Sequence, residues 1–384
     1  HFPSIFFGPF NLSFFSITTP TSALYAFLCV LLLTNLGVLL LLDKSLTKKL
    51  DRVLLFASFI ITYLLLSSGN FWLESFILLF LVWGLYLFKL SSPWAKIISG
   101  LLFGLALGTR PTLLIFFAVF VFLNRKKIGL KFIFASALYP LSQLVWLTAR
   151  KLWGPFMQLM QFNSSYYISL SSKVPSLNHL IIISLVLLLL LIVHKKEKPV
   201  STLVLFVTLS IGAYPRFELI HLLPAALALL ISLPSKINRK LVLGWIILSL
   251  SLVIYRHPFK PINFFNPPSL QTTADQLESK INSPQFYIIG GPDQLYQLTN
   301  SIPTGKIYLP SLPWYHANPD FVQKQIDALE KNPQAPVVIN TQSSLGGEGI
   351  DQYASSVLEY VYQNYQMTDS IGPLHVYKST DAIN

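Results

Sequence analysis

The sequence predicts a mainly α-helical membrane protein with about ten spans, followed by a small extracytoplasmic α/β domain. The first observation behind this prediction is composition: 53% of the 384 residues are hydrophobic, 11% are charged, and the mean hydropathy is +0.57. An ordinary soluble domain carries more charge and less apolar surface. The other two observations are a series of apolar segments and, after residue 256, an alternation of short helix-like and strand-like pieces.

The apolar segments have helical composition and define the predicted spans. They lie at residues 22–42, 53–66, 75–90, 97–108, 111–123, 132–148, 179–193, 200–213, 219–233 and 241–255. Several are shorter than the roughly 20 residues that a perpendicular span requires. We therefore expect local thinning of the bilayer, or helix ends that lie in protein-lined cavities.

The charges of the connecting loops predict which side of the membrane each loop occupies. Five alternate loops, at 43–52, 89–96, 124–131, 194–199 and 234–240, contain 16 Lys and Arg residues, whereas the outer loops of residues 1–255 contain 5. The five basic loops are therefore predicted to be cytoplasmic. This alternation requires residues 97–123 to form two spans rather than one. The basic charge is then explained without a nucleic-acid partner.

Three regions follow from this pattern: a polytopic membrane region at 1–255, a Pro-rich linker at 256–269, and an α/β domain at 270–384. The third region lies outside the cytoplasm on this topology. Cys29 is the single cysteine and falls in an apolar segment, so we expect no disulfide within the chain. Because the chain starts at His1 without an initiator Met, we expect that an N-terminal piece is missing.

Arg110 interrupts an apolar run in "GLALGTRPT" and is the first candidate for a binding residue. The glycines and Pro111 are expected to break the helix, which places Arg110 at the outer end of two short spans. A guanidinium is suited to phosphate because it offers a planar fork of donors and does not deprotonate. The alternative is an arginine that merely reaches lipid headgroups from a helix end.

Further ionisable residues occupy the same predicted outer face: Glu74, Arg216, Glu218 and His221. Groups of both signs at the rim of an apolar bundle fit a phosphate-linked lipid substrate and a hydroxyl acceptor. Glu74 and Glu218 could instead form ion pairs that only join helices. For His221 an ordinary interfacial histidine with satisfied hydrogen bonds is favoured over a catalytic role.

The predicted outer loop at 149–178 is long for a helix connection and contains Lys151, Tyr166 and Tyr167. Loops of this length often cover a substrate, so these residues are candidates for a donor cover. An aromatic anchor at the membrane interface is the alternative.

Several stretches resemble multi-pass glycosyltransferases of the GT-C fold, the group that includes protein O-mannosyltransferases and aminoarabinose transferases. They are "SGLLFGLALGTRPTLLIFF", "GNFWLESFILLFLVWGLYLF" and "AYPRFELIHLLPAALALLI", with "LYQLTNSIPTGKIYLPSLPWY" in the tail. The resemblance implies transfer of a sugar, with inversion, from a polyprenyl-phosphate donor to an acceptor hydroxyl on a protein, lipid or glycan outside the plasma (inner) membrane. Arg110 and Arg216 would bind the donor phosphate, and Glu74 would be an accessory acid.

The resemblance also implies a catalytic acid, usually Asp, in the first outer loop. Residues 1–21 contain neither Asp nor Glu. We therefore expect that the first span, this loop and the main catalytic carboxylate are missing, and that the chain as given is inactive. The residues present indicate no metal or cofactor; ligands of a divalent metal would lie in the missing loop.

Two other functions remain open at the level of sequence. A transporter or flippase for a lipid-linked or anionic substrate would also use broken helices and interfacial arginines, although its charges should lie near the midplane. A receptor or scaffold would act mainly through the acidic C-terminal region.

Overall fold

The computed structural model describes residues 20–46, 48–67, 73–162, 177–194, 199–211, 219–231, 237–256, 268–292, 294–306, 316, 319–345 and 348–380. The described residues divide into two compact units. A helical unit contains those of 22–157 and 172–261, and an α/β unit contains those from Pro268 onward.

The helical unit consists of apolar helices joined by short connections. They are α1 (Pro20–Ser45), α2 (Lys49–Ser67), α3 (Leu73–Phe88), α4 (Pro93–Thr109), α5 (Leu114–Leu123), α6 (Leu130–Ala149), α7 (Trp153–Phe162), α8 (Leu177–His194), α9 (Pro199–Ser210), α10 (Ala228–Ile231) and α11 (Arg239–Arg256). Two 3₁₀ segments, Pro111–Leu113 and Leu219–Leu227, precede α5 and α10. Each predicted apolar segment overlaps this set, whereas α7 lies in the connection that the sequence predicted as a loop.

Four of the described helices are long and apolar enough to cross a membrane: Leu28–Ser45, Lys49–Ser67, Leu130–Ala149 and Leu177–His194. Apolar side chains also cover the outside of the unit; Leu32, Phe134 and Leu177 are 67%, 69% and 74% exposed. Large exposed apolar surface of this kind marks contact with a membrane or a partner. A mainly helical chain with membrane-spanning helices is thus confirmed at the level of these four, and ten spans stay a prediction.

The chain reverses direction at Arg110. Helix α4 ends at Thr109, the 3₁₀ turn starts at Pro111, and the rings of Phe103 and Phe120 stack with centroids 5.0 Å apart. Along one continuous helix these two residues would lie about 25 Å apart. The predicted division of residues 97–123 into two antiparallel segments is therefore observed.

The glycines before this turn have a different role from the one predicted. Gly100, Gly104 and Gly108 recur at every fourth position inside α4 and face α6. A Cβ on Gly100 would lie 2.5 Å from the carbonyl oxygen of Phe132, and one on Gly104 would lie 2.5 Å from that of Ser136. The expectation that these glycines break the helix is wrong: they let two parallel helices pack with their backbones in close contact.

Substitution of Gly104 tests this packing. Gly104→Leu should lower the stability of the helical unit by about 1–3 kcal/mol, because a side chain there must push α6 away. The matched control is Gly244→Ala in α11, where an added Cβ meets nothing within 4 Å and should be neutral or stabilising by less than about 1 kcal/mol. Thermal unfolding of the purified full chain measures both. Equal melting temperatures for the two variants would contradict the packing role.

The α/β unit is a five-stranded mixed sheet with helices on both faces. Its strands are β1 (Gln285–Ile289), β2 (Ile302–Pro303), β3 (Val337–Asn340), β6 (Tyr365–Ile371) and β7 (Leu374–Ser379), in the spatial order β2-β1-β3-β7-β6. Strand β1 pairs in parallel with β2 and β3, and β7 pairs antiparallel with β3 and β6. A separate hairpin joins β4 (Ser344–Leu345) to β5 (Glu348–Gly349).

Alternation along β1 builds a core on each face of the sheet. Tyr287 and Ile289 belong to a cluster with residues of α14 (Pro319–Glu330) and α16 (Ser355–Asn364). Phe286 and Ile288 belong to the opposite cluster, with residues of α12 (Pro268–Ile281) and α13 (Gln294–Leu298). A short helix, α15 (Ile350–Tyr353), precedes α16. The period-2 pattern of a strand thus produces three layers.

Candidate functional site

Three of the predicted site residues meet in the helical unit: Glu74, Arg110 and His221. Glu74 lies in the first turn of α3, Arg110 lies between α4 and the following 3₁₀ turn, and His221 lies in the 3₁₀ helix Leu219–Leu227. All three are therefore at helix ends or in irregular helix. We call this set the Glu74 cluster.

The local sequence explains why the backbone has these conformations. Arg110 precedes Pro111, and a residue before proline is driven away from helical dihedrals; Arg110 accordingly has φ −140° and ψ 93°. Its backbone N–H still donates to the carbonyl of Ala106 at 2.9 Å. A carboxylate in the first turn of a helix, as at Glu74, also interacts favourably with the helix dipole.

One oxygen of the Glu74 carboxylate connects the cluster. Arg110 Nη1 donates to Glu74 Oε1 at 2.7 Å, and His221 Nδ1 lies 2.6 Å from the same oxygen. Glu74 is buried, with 4% of its surface exposed, while the side chains of Arg110 and His221 are 17% and 13% exposed. A carboxylate and a guanidinium thus share one buried polar centre among apolar helices.

The second oxygen of Glu74 is different. Within the described part of the chain, Oε2 is buried and has no hydrogen-bond partner. Leaving a buried carboxylate oxygen unsatisfied costs free energy, and such atoms in native proteins call for a specific explanation. A donor group of a bound substrate would satisfy Oε2.

These contacts decide between the alternatives that the sequence left open. Arg110 is largely buried and paired with Glu74, so an arginine that only extends to lipid headgroups is not what the structure shows. The ion pair considered for Glu74 does form, and His221 is hydrogen-bonded through Nδ1 as an ordinary satisfied histidine would be. Both observations are compatible with a structural role and with a binding role.

The remaining predicted residues are not part of the described cluster. Lys151 is exposed in the turn between α6 and α7, with a positive φ of 55°. Arg216, Glu218, Tyr166 and Tyr167 lie outside the described residues. Among the residues that are described, no group of three or more His, Cys, Asp and Glu side chains is arranged to hold a metal ion.

Comparison of the chain with protein-family models, with curated proteins and with solved structures finds no match.

A double-mutant cycle on Glu74 and Arg110 measures their coupling. Each single variant, Glu74→Gln or Arg110→Gln, should lower the free energy of unfolding by about 3 kcal/mol, because one buried partner loses its counter-charge. The double variant should lose less than the sum of the two, by about 1 kcal/mol or more. The control is Asp43→Asn in the Asp43–Arg52 pair, where Asp43 is 67% exposed and the expected loss is below about 1 kcal/mol. Additive losses would show that the pair is not coupled.

Proposed function

We propose that the chain belongs to a multi-pass glycosyltransferase that moves a sugar from a polyprenyl-phosphate donor to an acceptor hydroxyl outside the cytoplasm. The observation that supports this most directly is the Glu74 cluster: a buried carboxylate, a guanidinium and an imidazole within 2.7 Å contacts of one another at helix ends. The membrane spans, the GT-C resemblance and the sidedness are parts of the same proposal.

Arg110 is the proposed ligand of the donor phosphate. A guanidinium has five N–H donors, and the contact with Glu74 uses one of its terminal nitrogens. It can therefore hold the carboxylate and a phosphate oxygen together. Glu74 orients Arg110 and would keep it in place when the phosphate is absent. Arg216 is a second candidate for the same phosphate.

Glu74 is the proposed accessory acid. Its Oε2 would accept a hydrogen bond from a hydroxyl of the donor sugar or of the acceptor, which would satisfy the one unpaired oxygen of the cluster. The main general base, which removes the acceptor proton as the hydroxyl attacks the sugar, is proposed to come from the missing first outer loop. Transfer by a single displacement inverts the configuration at the sugar carbon.

The position of the cluster favours an enzyme over a transporter. Glu74 lies in the first turn of α3 and Arg110 follows the last residue of α4, so both charges are at helix ends rather than at midspan. A transporter or flippase is expected to hold its substrate near the midplane. In proteoliposomes, movement of a fluorescent polyprenyl-phosphate-sugar across the bilayer without sugar transfer would favour the transporter.

Substitution of Arg110 tests the phosphate role. Arg110→Ala should weaken binding of polyprenyl phosphate to the purified chain by about tenfold or more, the loss expected for a charge-assisted hydrogen bond. Arg150→Ala is the matched control, since Arg150 is exposed at the end of α6 and is predicted to lie on the same side. Lipid titration followed by native mass spectrometry measures both. Unchanged binding by a destabilised Arg110→Ala variant would leave the ion pair a purely structural one.

Labelling of single cysteines tests the proposed sidedness. In a Cys29→Ser background, a membrane-impermeant thiol reagent added to intact cells should label Arg150→Cys and Lys331→Cys. Lys48→Cys should be labelled only after the membrane is permeabilised. All three positions are exposed in their own units. Labelling of Lys48→Cys in intact cells would invert the topology and move the Glu74 cluster to the cytoplasmic face.

A further inference from the structure

A second cationic site lies at the other end of α4. A cavity of about 460 Å³ is lined by the first turns of α4 and α6 and by the connection before α6. Four of its nine lining residues are lysines, Lys96, Lys126, Lys127 and Lys131, and none is acidic. We call it the lysine cavity.

The acidic residues nearby in sequence are engaged elsewhere. The described acids of the predicted cytoplasmic loops are Asp43 and Asp51. Asp43 pairs with Arg52, and Asp51 accepts a 2.6 Å hydrogen bond from Arg239 Nε. The charge of the lysine cavity is thus not compensated by either of them.

A neighbouring lysine reports the resulting potential. Lys89, which follows α3, donates to Ser45 Oγ at 2.9 Å. Burial, followed by the charge of Lys127, lowers the pKa of Lys89 to about 8. Cations therefore crowd one another around the cavity, as expected where a counter-ion normally binds.

The backbone adds to this potential. Because the glycines of α4 hold α4 and α6 parallel and in close contact, their N-termini lie on the same side of the pair. Neither N-cap residue, Ser92 or Gly129, makes a side-chain hydrogen bond to its helix. The positive ends of two helix dipoles thus reinforce the lysines.

Apolar side chains beside the cavity indicate where its ligand comes from. Trp94, Leu130 and Phe134 are 73%, 71% and 69% exposed, and they lie next in sequence to residues of the cavity or one turn along α6. Such surface belongs in a bilayer, with the lysines at headgroup depth. The matching anion is the phosphate of a lipid rather than a phosphate dissolved in water.

We propose that the lysine cavity binds the headgroup phosphate of an anionic membrane lipid on the cytoplasmic side. Basic pockets between transmembrane helices on this side have the chemistry for such headgroups. The site is separate from the Glu74 cluster, since Lys96 and Arg110 lie at opposite ends of α4, about 20 Å apart along a helix. This proposal does not depend on the transferase activity.

The test removes three of the four lysine charges. The variant Lys126→Gln/Lys127→Gln/Lys131→Gln should bind phosphatidylglycerol about tenfold or more weakly, since each basic residue near an anionic headgroup contributes to binding. The matched control, Lys48→Gln/Lys49→Gln/Lys240→Gln, removes the same charge from exposed positions on the same predicted side and should change binding by less than about twofold. Native mass spectrometry of the full chain in detergent, titrated with the lipid, measures both.

Further arms separate the site from its competitors. Lys127→Arg keeps the charge and should bind normally, and thermal unfolding of every variant identifies a loss that is due to misfolding. Phosphatidylcholine should bind weakly to all variants. Equal losses in the two triple variants would indicate general attraction to anionic lipid and would overturn the proposal. Inorganic phosphate that binds the cavity and displaces phosphatidylglycerol at equal concentration would overturn the lipid as its ligand.

Discussion

Close contact between the backbones of α4 and α6 is the constraint on which the other features of the helical unit depend. Three glycines on one face of α4 allow it, with Gly104 set directly against the carbonyl of Ser136. Because the two helices are parallel and cannot slide apart, the turn that follows α4 and the connection that precedes α6 have defined positions. Arg110 belongs to that turn and Lys127 to that connection, so the same packing contact organises both ends of α4.

Residues that are costly to bury explain much of the remaining architecture. Glu74 and Arg110 are tolerated among apolar helices because each compensates the charge of the other, and His221 adds a further contact to the same oxygen. A buried ion pair seldom raises stability above that of an apolar pair of similar size, so its presence suggests selection for something other than stability. At the other side of the unit, Asp51 and Arg239 form a similar pair between α2 and α11.

Sequence reasoning was most successful where one physical effect dominates. Long apolar runs predicted the helices, strand-like alternation predicted β1, β3 and β7, and the loop charges required the turn at Arg110. It was wrong on Gly104, since a glycine repeat can break a helix or pack one, and only the partner helix decides between them. A repeat at every fourth position was the available signal. Strand β6 was missed because "YQMTDSI" is mostly polar and its pairing with β7 is a tertiary effect. The three residues of the Glu74 cluster were candidates from the sequence, but the sharing of one oxygen by two partners requires coordinates, because Glu74 and His221 are 147 positions apart.

The unpaired Oε2 of Glu74 has a consequence for the life of the protein in the cell. A native state that buries an unsatisfied oxygen gains more from its ligand than one whose polar groups are already paired, and any ligand that binds only the folded chain stabilises it in proportion to the logarithm of its concentration. The abundance of the folded protein would then follow the supply of its lipid-linked substrate, with the empty form more exposed to proteolysis. One carboxylate oxygen would thereby couple turnover of the protein to the state of the membrane around it.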